Sequence, residues 1–177
     1  MAYFLRRPFY PMTLSSNNSL HSPTISVRLA TLDDAATLVV LLAEMDEIEE
    51  IDALPADAVR LTVEGARQII TRMGDYPDFR VFLVLADDVV VGTFSLLIFS
   101  SLAHDGSQQA ILDAVVICRQ CRGQGIGSVM LDHACKLAGD AGCYKIALSS
   151  NLKRMDAHRF YETYGFAQHG VSFSLPL

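Results

Sequence analysis

The 177-residue sequence predicts an α+β (α/β/α) domain, a mixed sheet held between layers of helices. Three observations predict it. The element order reads strand, two helices, three strands, helix, strand, helix, strand. A mostly apolar strand runs directly into a glycine-rich turn that opens a helix. The composition is 51% hydrophobic and 19% charged, which suits one ordinary core at this length.

Each element has a local cause. Ile25 to Leu29 alternates as a short strand. Thr31 is a good N-cap, with Asp33 and Asp34 in the first turn where the helix dipole favours acids. Leu38, Leu41, Leu42 and Met45 then recur at helical spacing. Pro55 marks a loop, and a second helix is expected from about Ala58 to Met73. Phe79 to Ala86 and Val89 to Ser101 read as a hairpin turning at Asp87-Asp88. After a turn at Asp105-Gly106-Ser107, Gln109 to Cys118 is apolar enough to be a central strand. The next helix is expected to bury Ile126, Val129, Met130, His133, Ala134 and Leu137, and to end at Gly139 and Gly142. Tyr144 to Ser149 is a strand. The last helix carries Ala157, Phe160, Tyr161 and Tyr164 on one face and stops at Gly165, and Phe166 to Leu175 supplies one or two closing strands.

Charge and composition narrow the function. A net charge of −6 argues against general nucleic-acid binding, which needs a basic face, and suits a cationic or neutral small substrate. No apolar run reaches the roughly 18 residues of a membrane span, and Val89 to Leu97 is interrupted by Gly92, Thr93 and Ser95. Cys118, Cys121, Cys135 and Cys143 are expected as reduced thiols in the cytoplasm, because a chain of this length needs no disulfide staples. Cys118 and Cys121 form a lone C-x-x-C without the partners a zinc site wants, so no metal is expected. Residues 1–24 are rich in Ser, Asn and Pro and lack Asp and Glu. They read as a disordered tail ahead of a domain at 25–177. A transit-peptide character carried by Arg6, Arg7 and nearby aromatics, and a start at Met12, are the alternatives.

The segment from Val115 to Gly127 carries the most chemistry. Unpaired N–H groups at a helix start converge on one point. Glycines let that backbone approach a ligand, and the helix dipole adds positive potential. Such a turn binds a diphosphate, with Arg122 adding charge. The spacing is not that of a P-loop, which ends in Gly-Lys-Ser/Thr. Nor is it the dinucleotide fingerprint, because the glycines fall as G-x-G-x-G late in the chain.

With its flanks, Arg122-Gly123-Gln124-Gly125-Ile126-Gly127 resembles the Q/R-x-x-G-x-G/A signature of the GNAT superfamily of N-acetyltransferases. Ala157 to Phe166 resembles that family's A-x-x-F-Y-x-x-x-G-F segment, and the interval between the two blocks fits. The resemblance spans about residues 25–177. It implies a strongly twisted mixed sheet whose fourth and fifth strands, Gln109–Cys118 and Tyr144–Ser149, splay apart. Acetyl-CoA would be the co-substrate. Its pantetheine arm would lie against Val115, Val116 and Ile117, and its diphosphate over Gly123, Gln124, Gly125, Ile126, Gly127 and Ser128. The family's usual proline after this strand is missing, Arg119-Gln120 taking its place.

The resemblance implies transfer of an acetyl group to a primary amine by direct attack in a ternary complex. Three demands follow. An amine with a pKa of about 10 must lose its proton, the thioester carbonyl must be polarised, with the N–H of Ile117 as candidate, and the leaving thiolate must be protonated. Tyr161 matches the family tyrosine proposed for the last step. Otherwise it is a core tyrosine. Many relatives carry a Glu on the fourth strand. Asp113 is the carboxylate available there, expected as a buried base with a raised pKa or as a structural aspartate, and a water relay would dispense with a single base. His158 shares a helix face with Tyr161, His104 sits near the acceptor mouth or in a plain loop, and Asn151 could bond the cofactor.

The acidic run Glu44, Asp46, Glu47, Glu49, Glu50 and Asp52 either attracts a cationic acceptor or is a solvated helix face. The partner is a small-molecule or peptide amine, without nucleic acid or membrane, and relatives make a homodimer conceivable. A non-catalytic acyl-CoA sensor and a nucleotide-binding protein of another fold are the competing readings.

Overall fold

The computed structural model describes residues 23–46 and 60–175. The tail before residue 23, the acidic residues 47–52, Pro55 and the expected helix start at Ala58 lie outside the described residues.

Five strands form one sheet in the order β1 (Ile25–Leu29), β2 (Phe79–Ala86), β3 (Val89–Ser100), β4 (Gln108–Ile117), β5 (Ile146–Ala147). Neighbours run antiparallel except β4 and β5, which are parallel. Helices α1 (Ala35–Asp46) and α2 (Val63–Gly74) precede β2, α3 (Ile126–Asp140) follows β4, and α4 (Met155–Tyr164) follows β5. This is the expected mixed α+β architecture.

The pleat sorts the core into two layers. Leu83 and Leu85 of β2 are buried with Leu38 of α1, with Ile70 of α2 packed against them. The alternate residues Phe82 and Val84 join Phe94, Leu96 and Leu112 with Met130, Leu131 and Ala134 of α3. Phe82 and Phe94 stack at 4.9 Å. The α3 stripe is Ile126, Met130, Leu131, Ala134 and Ala138. Val129, expected inside, is 40% exposed. The stripe is centred on Met130 and Ala134, which leaves Val129 at its edge. α4 is tied to α3 by the Tyr164 hydroxyl, which donates to Asp132 Oδ1 at 2.8 Å.

Local chemistry sets the joints. Asp87 and Asp88 both adopt positive φ, 46° and 65°, as a two-residue hairpin turn requires. Asp87 Oδ1 then accepts from the Thr24 N–H at 2.9 Å, fixing the start of β1. Thr62 caps α2 by accepting from the Gly65 N–H at 3.0 Å.

Two expectations about the far edge are corrected. β5 spans Ile146–Ala147 rather than Tyr144 to Ser149. Residues 166–175 form no strand, and Val171, Phe173 and Leu175 are exposed. The alternating pattern that suggested closing strands finds no ladder among the described residues, and a strand without a partner has no place for its backbone donors.

Candidate active site

The β4–β5 ladder consists of Ala110↔Ile146 and Ile111↔Ala147, flanked by Tyr144 N–H to Gln108 O and Ala110 N–H to Lys145 O, each 3.0 Å. Beyond Ile111 the two strands part. The divergence begins where β4 carries a bulge: Ser95 pairs with Asp113 but Thr93 pairs with Val116, so β4 has one residue more than β3 across this interval. Ala114 takes up the surplus at φ 49°, a left-handed conformation costly for a residue with a Cβ. The bulge turns Val115, Val116 and Ile117 into a cleft of about 750 Å³.

The floor of that cleft is the glycine-rich turn. Gly123 and Gly125 sit at φ 74° and 78°, and Gly125 is the N-cap of α3. Among the described residues no hydrogen bond occupies the N–H groups from Gly123 to Gly127, and the first turn of α3 closes with Ser128 N–H to Gly125 O. Gly127 is needed for space: a Cβ there would lie 2.9 Å from Phe160 Cζ. Arg122 Nε donates to Ile117 O at 2.9 Å, which holds the guanidinium beside the cleft. Lys153 and Arg154, at the start of α4, bring further positive charge to it.

The opposite wall is α4. Tyr161 lines the cleft between the rings of Phe160 and Phe166, 5.3 and 5.7 Å away. Burial raises the pKa of its phenol, with Arg154 acting in the other direction. The phenol is therefore neutral and able to donate a proton near neutral pH.

The sequence candidates divide as follows. Val115, Val116, Ile117, Arg122, Gly123, Gly125, Gly127, Ser128 and Tyr161 meet in the cleft. Ile126 is buried beneath it. Gln124 turns its side chain away, donating to Gln120 O at 3.1 Å. Asn151 Oδ1 accepts from the Lys153 N–H at 3.0 Å and is not part of the lining. Asp113, expected as a buried carboxylate, is exposed and outside the cleft. It stands opposite Ser95 before the bulge resets the alternation of β4. His158 does not line the cleft, and His104 lies against the Tyr144 ring at 5.4 Å. Lys153, Arg154 and Met45 were not anticipated. The Lys-Arg pair opening the last helix was the available signal for the first two. Cys118 is buried and its thiol pushed up to about 12, chiefly by burial, and Cys121 lines the cleft as a free thiol.

Comparison with known proteins now decides the family. The Acetyltransferase (GNAT) family matches residues 44–166, and the aminoalkylphosphonate N-acetyltransferase of Salmonella typhimurium is 32% identical over 155 residues, 88% of this chain and 93% of that protein. The chain belongs to the GNAT acetyltransferase family. The glucosamine 6-phosphate N-acetyltransferase of Trypanosoma brucei brucei is 32% identical over 88 residues, half of this chain and 58% of that one. Among solved structures, a candidate acetyltransferase from Agrobacterium tumefaciens str. C58 superposes with a TM-score of 0.74 at 27% identity, covering 86% of this chain and 99% of its own. This GNAT protein is thus an acyltransferase. Among its described residues no helix is long and apolar enough to cross a membrane, and no group of three or more His, Cys, Asp or Glu side chains could hold a metal ion.

Proposed function

We propose that this protein transfers an acetyl group from acetyl-CoA to a primary amine by direct attack in a ternary complex. The observation that carries the reading is the open cleft between the diverging strands, floored by unoccupied backbone amides. A diphosphate sits on the open amides of Gly123 to Gly127, with Ser128 lining the cleft beside them, where the α3 dipole and Arg122 neutralise it. The pantetheine arm lies along Val115 to Ile117. Ile117 N–H polarises the thioester carbonyl, and holding both reactants in one cleft removes much of the entropic barrier.

As the amine attacks the carbonyl carbon, the C–N bond forms and the C–S bond breaks. Tyr161 O–H gives its proton to the departing sulfur, a role its raised pKa supports by keeping the phenol protonated. The amine proton leaves through water, because Asp113 is exposed and outside the cleft. The domain comprises residues 25–177 and works in the cytoplasm on a small molecule or peptide.

The acceptor is a primary amine that also carries an anionic group. The names of two relatives specify an aminoalkylphosphonate and glucosamine 6-phosphate as acceptors of those proteins, and Lys153 and Arg154 give this cleft cations for such a group. The test is acetyl-CoA-dependent thiol release across aminoalkylphosphonates, glucosamine 6-phosphate, polyamines and peptides. Tyr161→Phe should lower kcat on the order of 100-fold with acetyl-CoA affinity retained. Affinity without turnover of any amine would leave an acyl-CoA-binding sensor, and an unchanged kcat in Tyr161→Phe would remove the acid role.

A further inference from the structure

Glu44 lies in the last turn of α1, yet its carboxylate reaches the turn that leaves β4. Oε2 accepts from the Arg119 N–H at 2.8 Å, across 75 residues of sequence. The same oxygen is 3.9 Å from Arg122 Nη2. Arg119 opens the short 3-10 turn Arg119–Cys121 that leads into the glycines. Arg122 closes it by donating to Ile117 O. One side chain on α1 therefore ties down the first residue of this turn and touches the residue after it. The next residue of α1, Met45, lines the cleft itself.

By charge alone this carboxylate is misplaced. An anion beside Arg122 weakens the potential that an anionic ligand would meet. Its geometry offers the compensation. The first donors of a helical turn find no acceptor within the turn itself, and a carboxylate bonded to the Arg119 N–H fixes the path of the backbone from Cys118 onward. The segment that follows this turn carries two glycines at positive φ, Gly123 and Gly125, and has little rigidity of its own. An anchor from a separate element supplies it.

We propose that Glu44 is a positioning residue for the coenzyme: its hydrogen bond to Arg119 N–H presets the Arg119–Arg122 turn so that the following amides and the Arg122 guanidinium meet the diphosphate. The role resides in the acceptor oxygen and its reach, not in the charge. It rests on the acetyl-CoA reading given above.

The test compares Glu44→Ala, Glu44→Gln and Glu44→Asp in the full chain. The readouts are kcat/KM with acetyl-CoA, kcat/KM with acetyl-pantetheine, which lacks the diphosphate, and Kd for CoA by calorimetry. Glu44→Ala loses the anchor and Glu44→Asp is one methylene too short, so both should weaken CoA binding by about tenfold. Glu44→Gln keeps an acceptor oxygen at the same reach and should stay within about twofold of wild type. With acetyl-pantetheine all three should match wild type, a pattern a merely structural residue would not give. Equal losses with both thioesters, no loss in Glu44→Ala, or a loss in Glu44→Gln with Glu44→Asp unaffected would each overturn the proposal. A wild-type protein that binds no CoA overturns the acetyl-CoA reading itself. Wild-type binding with an unchanged Glu44→Ala overturns this inference alone.

Discussion

Single residues carry both the chemistry and its support. Asp34 shows how firmly one carboxylate can be held. Arg28 Nη1 and Nη2 donate to its two oxygens at 2.8 Å each, and the Thr31 N–H donates to Oδ2 at 2.8 Å. These bonds, that from Arg28 foremost, hold its pKa at about 2 against an ordinary 3.8. A depressed folded-state pKa means the stabilisation is complete above pH 3.8 and is lost as pH falls towards about 2. Urea melts should therefore show a falling midpoint across that window, and Asp34→Asn should flatten the fall there. An identical slope in the variant would show that the pair contributes no acid sensitivity. Thr31 and Asp34 were legible in the sequence because capping is a local pattern, as were the turn glycines and Tyr161, which sit in contiguous motifs. Glu44 was not: its partner is 75 residues away, and in the chain it reads as one acid of a run. Asp113 was legible as a carboxylate on the right strand, but it shares the outward face of Ile111, opposite the buried Ala110 and Leu112, so plain alternation leaves it exposed.

The bulge in β4 is the decisive feature at the scale of elements. A glycine would have advertised a left-handed backbone in β4, but Ala114 occupies it, so the kink is imposed by pairing with β3 rather than by local propensity. Gly92 on β3 is its counterpart. A Cβ at Gly92 would lie 2.7 Å from Val116 O and 2.6 Å from Ile117 Cδ1. The backbone oxygen cannot give way without moving β4. Gly92→Ala should therefore destabilise the fold by about 2–3 kcal/mol and lower affinity for acetyl-CoA, because Val116 and Ile117 line the cleft. A thermal melt and a CoA titration on this variant check both effects, and a wild-type melt would show that β3 and β4 have slack at this point. The β2 boundaries and the stop of α4 followed from alternation and Gly165, and β3 ends at Ser100, one residue before the expected Ser101. β5 fell short of its expected length because the strand pattern of Tyr144 to Ser149 was judged without knowing that β4 turns away from it.

For the whole molecule, the mixed sheet and its flanking helices were implied by element order, and the family by two motifs on opposite sides of one cleft. What element order could not reveal is the edge beyond β5, where residues 166–175 have a strand-like pattern but no strand. Function at this scale is a single geometric arrangement: parallel strands joined at Ala110 and Ile111, diverging past a bulge, with α3 aiming open amides into the gap and α4 supplying a neutral phenol. The most direct test is the structure of the protein with CoA bound. The account predicts the diphosphate on the open amides of Gly123 to Gly127, beside Ser128, the pantetheine arm between the separated strands beside Val115 to Ile117, and the sulfur within reach of the Tyr161 hydroxyl. A diphosphate bound elsewhere, or β5 paired along Val115 to Ile117 with the thiol in solvent, would contradict it.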